Sequence, residues 1–254
     1  TKGIYKNDTN TTTLALNVRR TRHGPIIDEI NKQARTLSGS VNGVDIPTPA
    51  ALALRWTALE PGFTFRSVLK LDRAQNYDQF RDALRDWTVP SQNFVYADVD
   101  GNIAYQTPGN IPIRANGNGQ LPVPGWTDDY EWTGYIPFDE LPRAFNPPQG
   151  YIATANNAIV GPDYPYLISL DWDKGYRARR IVNLIEAANS GKLTVDDIKA
   201  IQGDDSNLSA QEVMPFLAAV SFDDPTLKGG LEYLKKWDFQ QALDSGPAAL
   251  YNLF

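Results

Sequence analysis

Two consecutive amides, Asn156 and Asn157, follow an extended run at Tyr151, Ile152 and Ala153, and three arginines, Arg177, Arg179 and Arg180, come about 20 residues later. An asparagine at the end of an extended segment can aim side-chain N–H groups at a developing negative charge, which is the task of half an oxyanion hole. A guanidinium folded back onto such an amide could hold it in place, because its donors sit in a rigid fork. The same residue types have a second use, since Asn pairs serve turns and helix caps. His23 could contribute to a hydrolase triad, or equally act as a local hydrogen-bonding residue at a strand end.

Those residues need elements to carry them. The spacing predicts a strand over Thr12–Val18 that runs into Arg19 and Arg20 and ends at a Gly24-Pro25 turn, and a second strand over Leu52–Trp56. Apolar residues at helical spacing predict a helix from Asn76 to Arg85 capped by Asn76. Asn93–Asp98 and Ile103–Gln106 flank an Asp-Gly, which predicts a hairpin. From Thr107 to Pro148 the chain is dense in Pro, Gly and aromatics, so it reads as a stiff loop that could wall an apolar pocket, with Trp126, Trp132, Tyr135 and Phe138 in it. The expected strand at Tyr151–Ala153 follows. Helices are expected from Lys174 to Asn189, after the Thr194 cap to Ile201, over Ser209–Val220, over Pro225–Trp237 and in the apolar run Ala248–Phe254.

Composition sets the bounds. The 254 residues carry a net charge of −6, no cysteine and a single histidine. The charge disfavours nucleic acid, and the cysteine and histidine counts exclude disulfides, cysteine nucleophiles and a His-rich zinc centre. No apolar run approaches the ~20 residues of a membrane span. Strand-rich sequence over 1–160 followed by helix-rich sequence over 174–254 predicts an α+β fold across 1–254 with no separate second domain. The first residue is not methionine, and the last apolar run has no capping signal, so a piece of a longer chain is expected.

Several segments, in this order and spacing, are similar to the large catalytic β chain of the penicillin acylase (penicillin amidase) family of N-terminal nucleophile hydrolases: TRHGP (21–25), NFVYADVDGNIAYQTPG (93–109), LPVPGW (121–126), WTGYIPFDELP (132–142), NPPQGYIATANN (146–157), DYPY (163–166) and GYRARRI (175–181). The resemblance implies part of an αββα sandwich, two stacked antiparallel sheets with outer helices. It implies hydrolysis of linear or cyclic amides with an apolar acyl group, such as penicillins or acyl-homoserine lactones. The family's nucleophile is a serine at a new N-terminus whose own α-amino group, titrating near ~8, serves as base. By the resemblance Asn156 is the oxyanion-hole asparagine and Arg177 the orienting arginine, with Arg179 as the alternative.

The family's serine and its first oxyanion donor lie before the segment that resembles Thr1–Pro25, so the nucleophile is expected to be absent from this chain and the fragment inactive alone. Thr1 as nucleophile is the alternative. The expected partners are an acyl-amide substrate, the α chain and the remainder of the β chain, with unpaired sheet edges favouring self-association. No cofactor is expected in this stretch; calcium is expected in the parent, although Asp163, Asp171 and Asp173 read as solvated or helix-capping residues. The family implies export to the periplasm or beyond the cell. Two other readings compete: a ligand-binding or structural module with an aromatic-lined pocket, and a sugar-binding protein.

Overall fold

The structure is a computed structural model that describes residues 2–7, 10–15, 18–27, 39–41, 44–46, 51–188 and 192–253. The chain forms two compact units: Thr1–Gly150 with Tyr164–Ile168, and Tyr151–Asp163 with Ser169–Phe254. All ladder pairing between named strands is antiparallel. Together with seven α-helices among the described residues this makes a mixed α+β fold.

The first unit opens with a hairpin of β1 (Lys2–Asn7) and β2 (Asn10–Ala15), in register from Lys2 opposite Ala15 to Asn7 opposite Asn10. The strand expected over Thr12–Val18 begins earlier, at Asn10, and Val18 is not in it; Leu16 and Asn17 lie outside the described residues. A second tight hairpin joins β3 (Arg20–Thr21) to β4 (Gly24–Pro25), with Arg22 and His23 at its tip. Gly24 has φ +123°, and a Cβ there would lie 2.1 Å from the Leu54 carbonyl oxygen, so only glycine fits. β5 (Gly39–Val41) and β6 (Val44–Ile46) pair next. The strand expected over Leu52–Trp56 reduces to one bridge, Ile26 to Ala53. A 3₁₀ turn at Thr57–Leu59 ends the extended run immediately after it.

α1 (Thr64–Leu71) has no counterpart among the expected elements; its apolar residues Phe65, Val68 and Leu69 are exposed and its buried residue is Ser67. α2 (Tyr77–Leu84) begins where expected, with the Asn76 side chain accepting the Gln79 N–H. It buries Phe80, Ala83 and Leu84. Tyr77 and Phe80 meet Tyr96, and Tyr77 also meets Phe145, at ring separations of 4.5 to 5.9 Å. These contacts seat the helix on a three-stranded sheet of order β11-β8-β7, built from β7 (Phe94–Ala97), β8 (Ile103–Gln106) and β11 (Arg143–Phe145).

The β7–β8 hairpin forms as the Asp-Gly predicted. Its organiser is Asp98, whose carboxylate accepts the N–H of Asp100 and of Asn102, the Asn102 side chain and the Tyr96 hydroxyl. Four donors stabilise the ionised form, so the carboxyl is held below its usual range, the Asn102 side chain first among the causes. The Pro-rich stretch contains no α-helix, as expected. It supplies the short strands β9 (Pro112–Arg114) and β10 (Trp132–Tyr135) and packs Ile111, Ile136 and Leu141 against Ile113, Phe138, Tyr166 and Ile168.

The second unit is helical: α3 (Tyr176–Ala187), α4 (Val195–Gln202), α5 (Leu208–Ala218), α6 (Pro225–Leu234) and α7 (Gly246–Asn252). α4 to α7 are capped by Thr194, Asn207, Asp224 and Ser245, each accepting backbone N–H groups of its own first turn. Ala210, Trp237 and Ala248 form the core with Phe239 and Tyr251. Ahead of these helices, Tyr151–Ala153 is irregular and not the expected strand, with no ladder partner among the described residues. What pairs here is a single parallel bridge between Asn157 and Asp173.

Candidate active site

The Asn156–Arg177 constellation lies wholly within the second unit. Asn156 sits at φ +63°, the left-handed region that Asn tolerates better than most side chains because it has a short polar arm and no branch at Cβ. Its carbonyl accepts the N–H of Asp173 at 2.9 Å, which closes the turn onto the segment before α3. Asn157 is the structural partner of the pair. Its Oδ1 accepts the Ala155 N–H at 3.1 Å and its Nδ2 donates to the Ala158 carbonyl at 3.0 Å, so both ends of that amide are used locally.

Asn156 is exposed, and among the described residues only the oxygen end of its amide is engaged. Arg177 Nη2 donates to Asn156 Oδ1 at 2.9 Å and to the Ala155 carbonyl at 2.8 Å. A guanidinium has donors and no acceptor, so the atom facing it must be Oδ1 and the amide orientation is determined. Nδ2 then points away, and among the described residues it makes no hydrogen bond. An exposed amide with its acceptor tied down and no donor bond among the described residues can donate to an anion or a polarised carbonyl oxygen.

Asp173 holds the arginine. Its Oδ2 accepts Arg177 Nε at 3.2 Å and Nη2 at 3.0 Å, and its Oδ1 accepts the Gly175 N–H at 2.9 Å. The Gly175 N–H first and the Arg177 side chain second keep this carboxyl below its usual range. Gly175, at φ +85°, turns the chain into α3, which is why the helix begins at Tyr176 and not at Lys174.

The other residues singled out by sequence go elsewhere. Arg179 pairs with Glu212 at 2.5 Å and lies over the Tyr176 ring; Arg180 pairs with Asp204 through two hydrogen bonds of 2.8 and 2.6 Å. Of the three arginines it is Arg177 that meets Asn156. His23 belongs to the first unit, where its Nε2 donates to Glu131 at 2.6 Å. Arg22 and Arg55 also approach Glu131, at 3.3 and 3.4 Å. Its carboxyl is held below the usual range, by the His23 hydrogen bond first, with both arginines adding and burial opposing. That is a clasp tying the β3–β4 hairpin to the loop before β10.

Of the aromatics of the Pro-rich loop, Trp132 meets Tyr135 edge to face at 6.3 Å. Trp132 lies under Arg55 and Arg114, Phe138 under Arg81 and Arg85, and Trp126 is 59% exposed. Both oxygens of Asp173 are committed to donors, and among the described residues no group of three or more carboxylate or imidazole side chains is arranged to hold a metal. Sequence reading gave Asp173 only a capping role and missed its grip on Arg177. The available signal was its position four residues before Arg177, the spacing at which opposite charges meet on a helix.

The chain is 34% identical over 236 residues to the penicillin acylase 2 proenzyme of Pseudomonas sp. (strain SE83), covering 92% of this chain and 28% of that protein. It is 33% identical over 252 residues to the acyl-homoserine lactone acylase QuiP of Pseudomonas fluorescens strain Pf-5, covering 93% of this chain and 29% of that protein. The chain thus spans under a third of the length of these curated relatives. Among solved structures, a thermostable penicillin G acylase from Alcaligenes faecalis superposes with a TM-score of 0.66 at 26% identity, over 97% of this chain and 42% of that one. The fold is therefore that of an N-terminal nucleophile hydrolase. With the penicillin amidase profile matching continuously from residue 4 to residue 254, the chain belongs to the penicillin amidase family.

Proposed function

We propose that this chain is part of an acylase that hydrolyses the amide of an apolar acyl group, and that Asn156 supplies one hydrogen-bond donor to its oxyanion hole. The observation that carries the reading is the fixed amide: Arg177 holds Oδ1 of the exposed Asn156, and Nδ2 has no hydrogen-bond partner among the described residues. In the proposed reaction a serine hydroxyl from outside these 254 residues attacks the substrate carbonyl, and its proton passes to the α-amino group of the same serine. The carbonyl oxygen becomes an oxyanion, and Asn156 Nδ2 donates to it. The C–N bond then breaks, the amine leaves with the proton, and water cleaves the resulting ester through a second oxyanion at the same donor.

Arg177 does no chemistry in this scheme; it keeps the donor aimed, so the charge is met without reorganisation. Penicillins and acyl-homoserine lactones, the substrates in the relatives' names, are the proposed substrate classes. The α chain and the remainder of the β chain are the proposed partners, and export is the proposed location. With the attacking serine proposed to lie outside them, the 254 residues alone are expected to turn nothing over.

The test is substitution of Asn156 in the full-length acylase that contains this chain. At φ +63° an alanine also introduces left-handed strain of about 1–2 kcal/mol, so Asn156→Gly is the cleaner removal of the amide. We expect kcat on a phenylacetyl anilide to fall about 100-fold with little change in KM. A loss below about fivefold removes Asn156 from the oxyanion hole, and turnover by the isolated chain would transfer the nucleophile's role to Thr1.

A further inference from the structure

We propose that Asp173 is a positioning residue for amide hydrolysis, setting where Asn156 Nδ2 points through two separate grips. This rests on the reading of Asn156 as an oxyanion donor. The first grip is main chain: the Asp173 N–H donates to the Asn156 carbonyl at 2.9 Å and fixes the left-handed turn from which the amide projects. The second runs through Arg177. The Asp173 carboxylate takes Nε and Nη2 of the guanidinium, and the same Nη2 reaches Asn156 Oδ1 and the Ala155 carbonyl, so three oxygens lie within 3.0 Å of one nitrogen.

A nitrogen with two hydrogens facing three acceptors is placed by all of them jointly. Without the carboxylate, Arg177 is an exposed side chain with several rotatable bonds, and the entropy of leaving its two oxygen contacts favours release. Asn156 Oδ1 would then have no partner among the described residues, and the amide would rotate.

A cap of α3 would also explain a carboxylate at this position, because Asp173 Oδ1 accepts the Gly175 N–H. Asp173→Asn separates the two roles. The asparagine keeps the main-chain N–H and an acceptor for Gly175 but loses the charged fork that holds Arg177. In the full-length acylase, kcat and KM for a phenylacetyl anilide are measured for the parent, Asp173→Asn, Asn156→Gly and the double variant.

The expected result is a loss in kcat of about tenfold for Asp173→Asn at unchanged KM, an order of magnitude below loss of the donor itself. In the Asn156→Gly background the same substitution should cost nothing further, because there is no amide left to aim. An equal loss in both backgrounds would mean that Asp173 only supports the helix and would overturn the proposal, as would unchanged kcat in the single variant. Should Asn156→Gly itself leave kcat intact, the oxyanion reading fails and this inference with it. Asp173→Glu, which keeps the charge but displaces the carboxylate by one methylene, must show the same coupling if Asp173→Asn folds poorly.

Discussion

At the scale of single residues, the contrast within the Asn-Asn pair decides which amide is free for chemistry. Asn157 spends both ends on the backbone beside it, whereas Asn156 spends only its oxygen. The difference predicts an asymmetric response to charge. In Asn156→Asp the carboxylate still accepts from Arg177, so the geometry survives, but the donor is gone and a negative group faces the oxyanion. Its kcat at neutral pH should fall below that of Asn156→Gly, and should recover toward the Gly level as pH is lowered through the new carboxyl's titration. If the two variants have equal kcat across that range, the oxyanion does not form beside residue 156.

At the scale of elements, the helices and hairpins are held by contacts of very different weight. The Asn76 cap of α2 is one exposed hydrogen bond, and Asn76→Ala should cost about 1 kcal/mol. Leu84, near the end of the same helix, is fully buried, and Leu84→Ala should cost about 2–5 kcal/mol through lost burial and the cavity left behind. Urea midpoints of the two variants check the order, and a larger shift for the cap would contradict the packing described for α2. These elements were also the most legible in sequence. The Asp98–Asn102 turn and the Thr194 capping box depend on partners within four positions, so spacing alone encodes them. α1 was passed over although Phe65, Val68 and Leu69 recur at helical spacing, and the Leu52–Trp56 strand was overestimated because strand propensity says nothing about whether a partner lies alongside.

At the scale of the whole molecule, acid sensitivity follows from how its carboxylates are held. Asp139, between Arg85 and Arg81, is brought down to about 2, and Asp86, Glu131, Asp173 and Asp204 are lowered by their own cationic or N–H partners. A carboxyl lowered in the folded state contributes stability that is present above its unfolded value and disappears as pH falls through the folded one. Thermal stability should therefore be flat above about pH 5 and decline between roughly pH 4 and pH 2. Because most of these pairs are at least partly exposed, ~0.5 M salt should flatten that decline. A melting temperature that rises on acidification would contradict the pairing.

The sequence by itself determined the family, the α+β class and the elements whose capping or turn partner lies within a few residues, because such partners are brought together by backbone geometry alone. Tertiary structure decided which arginine meets Asn156, which of the two amides stays free, and that His23 reaches Glu131 across 108 residues. Contacts at those separations require closing long loops, whose entropic cost is met only when many buried contacts form together. That cooperation leaves no period or spacing in the chain to read.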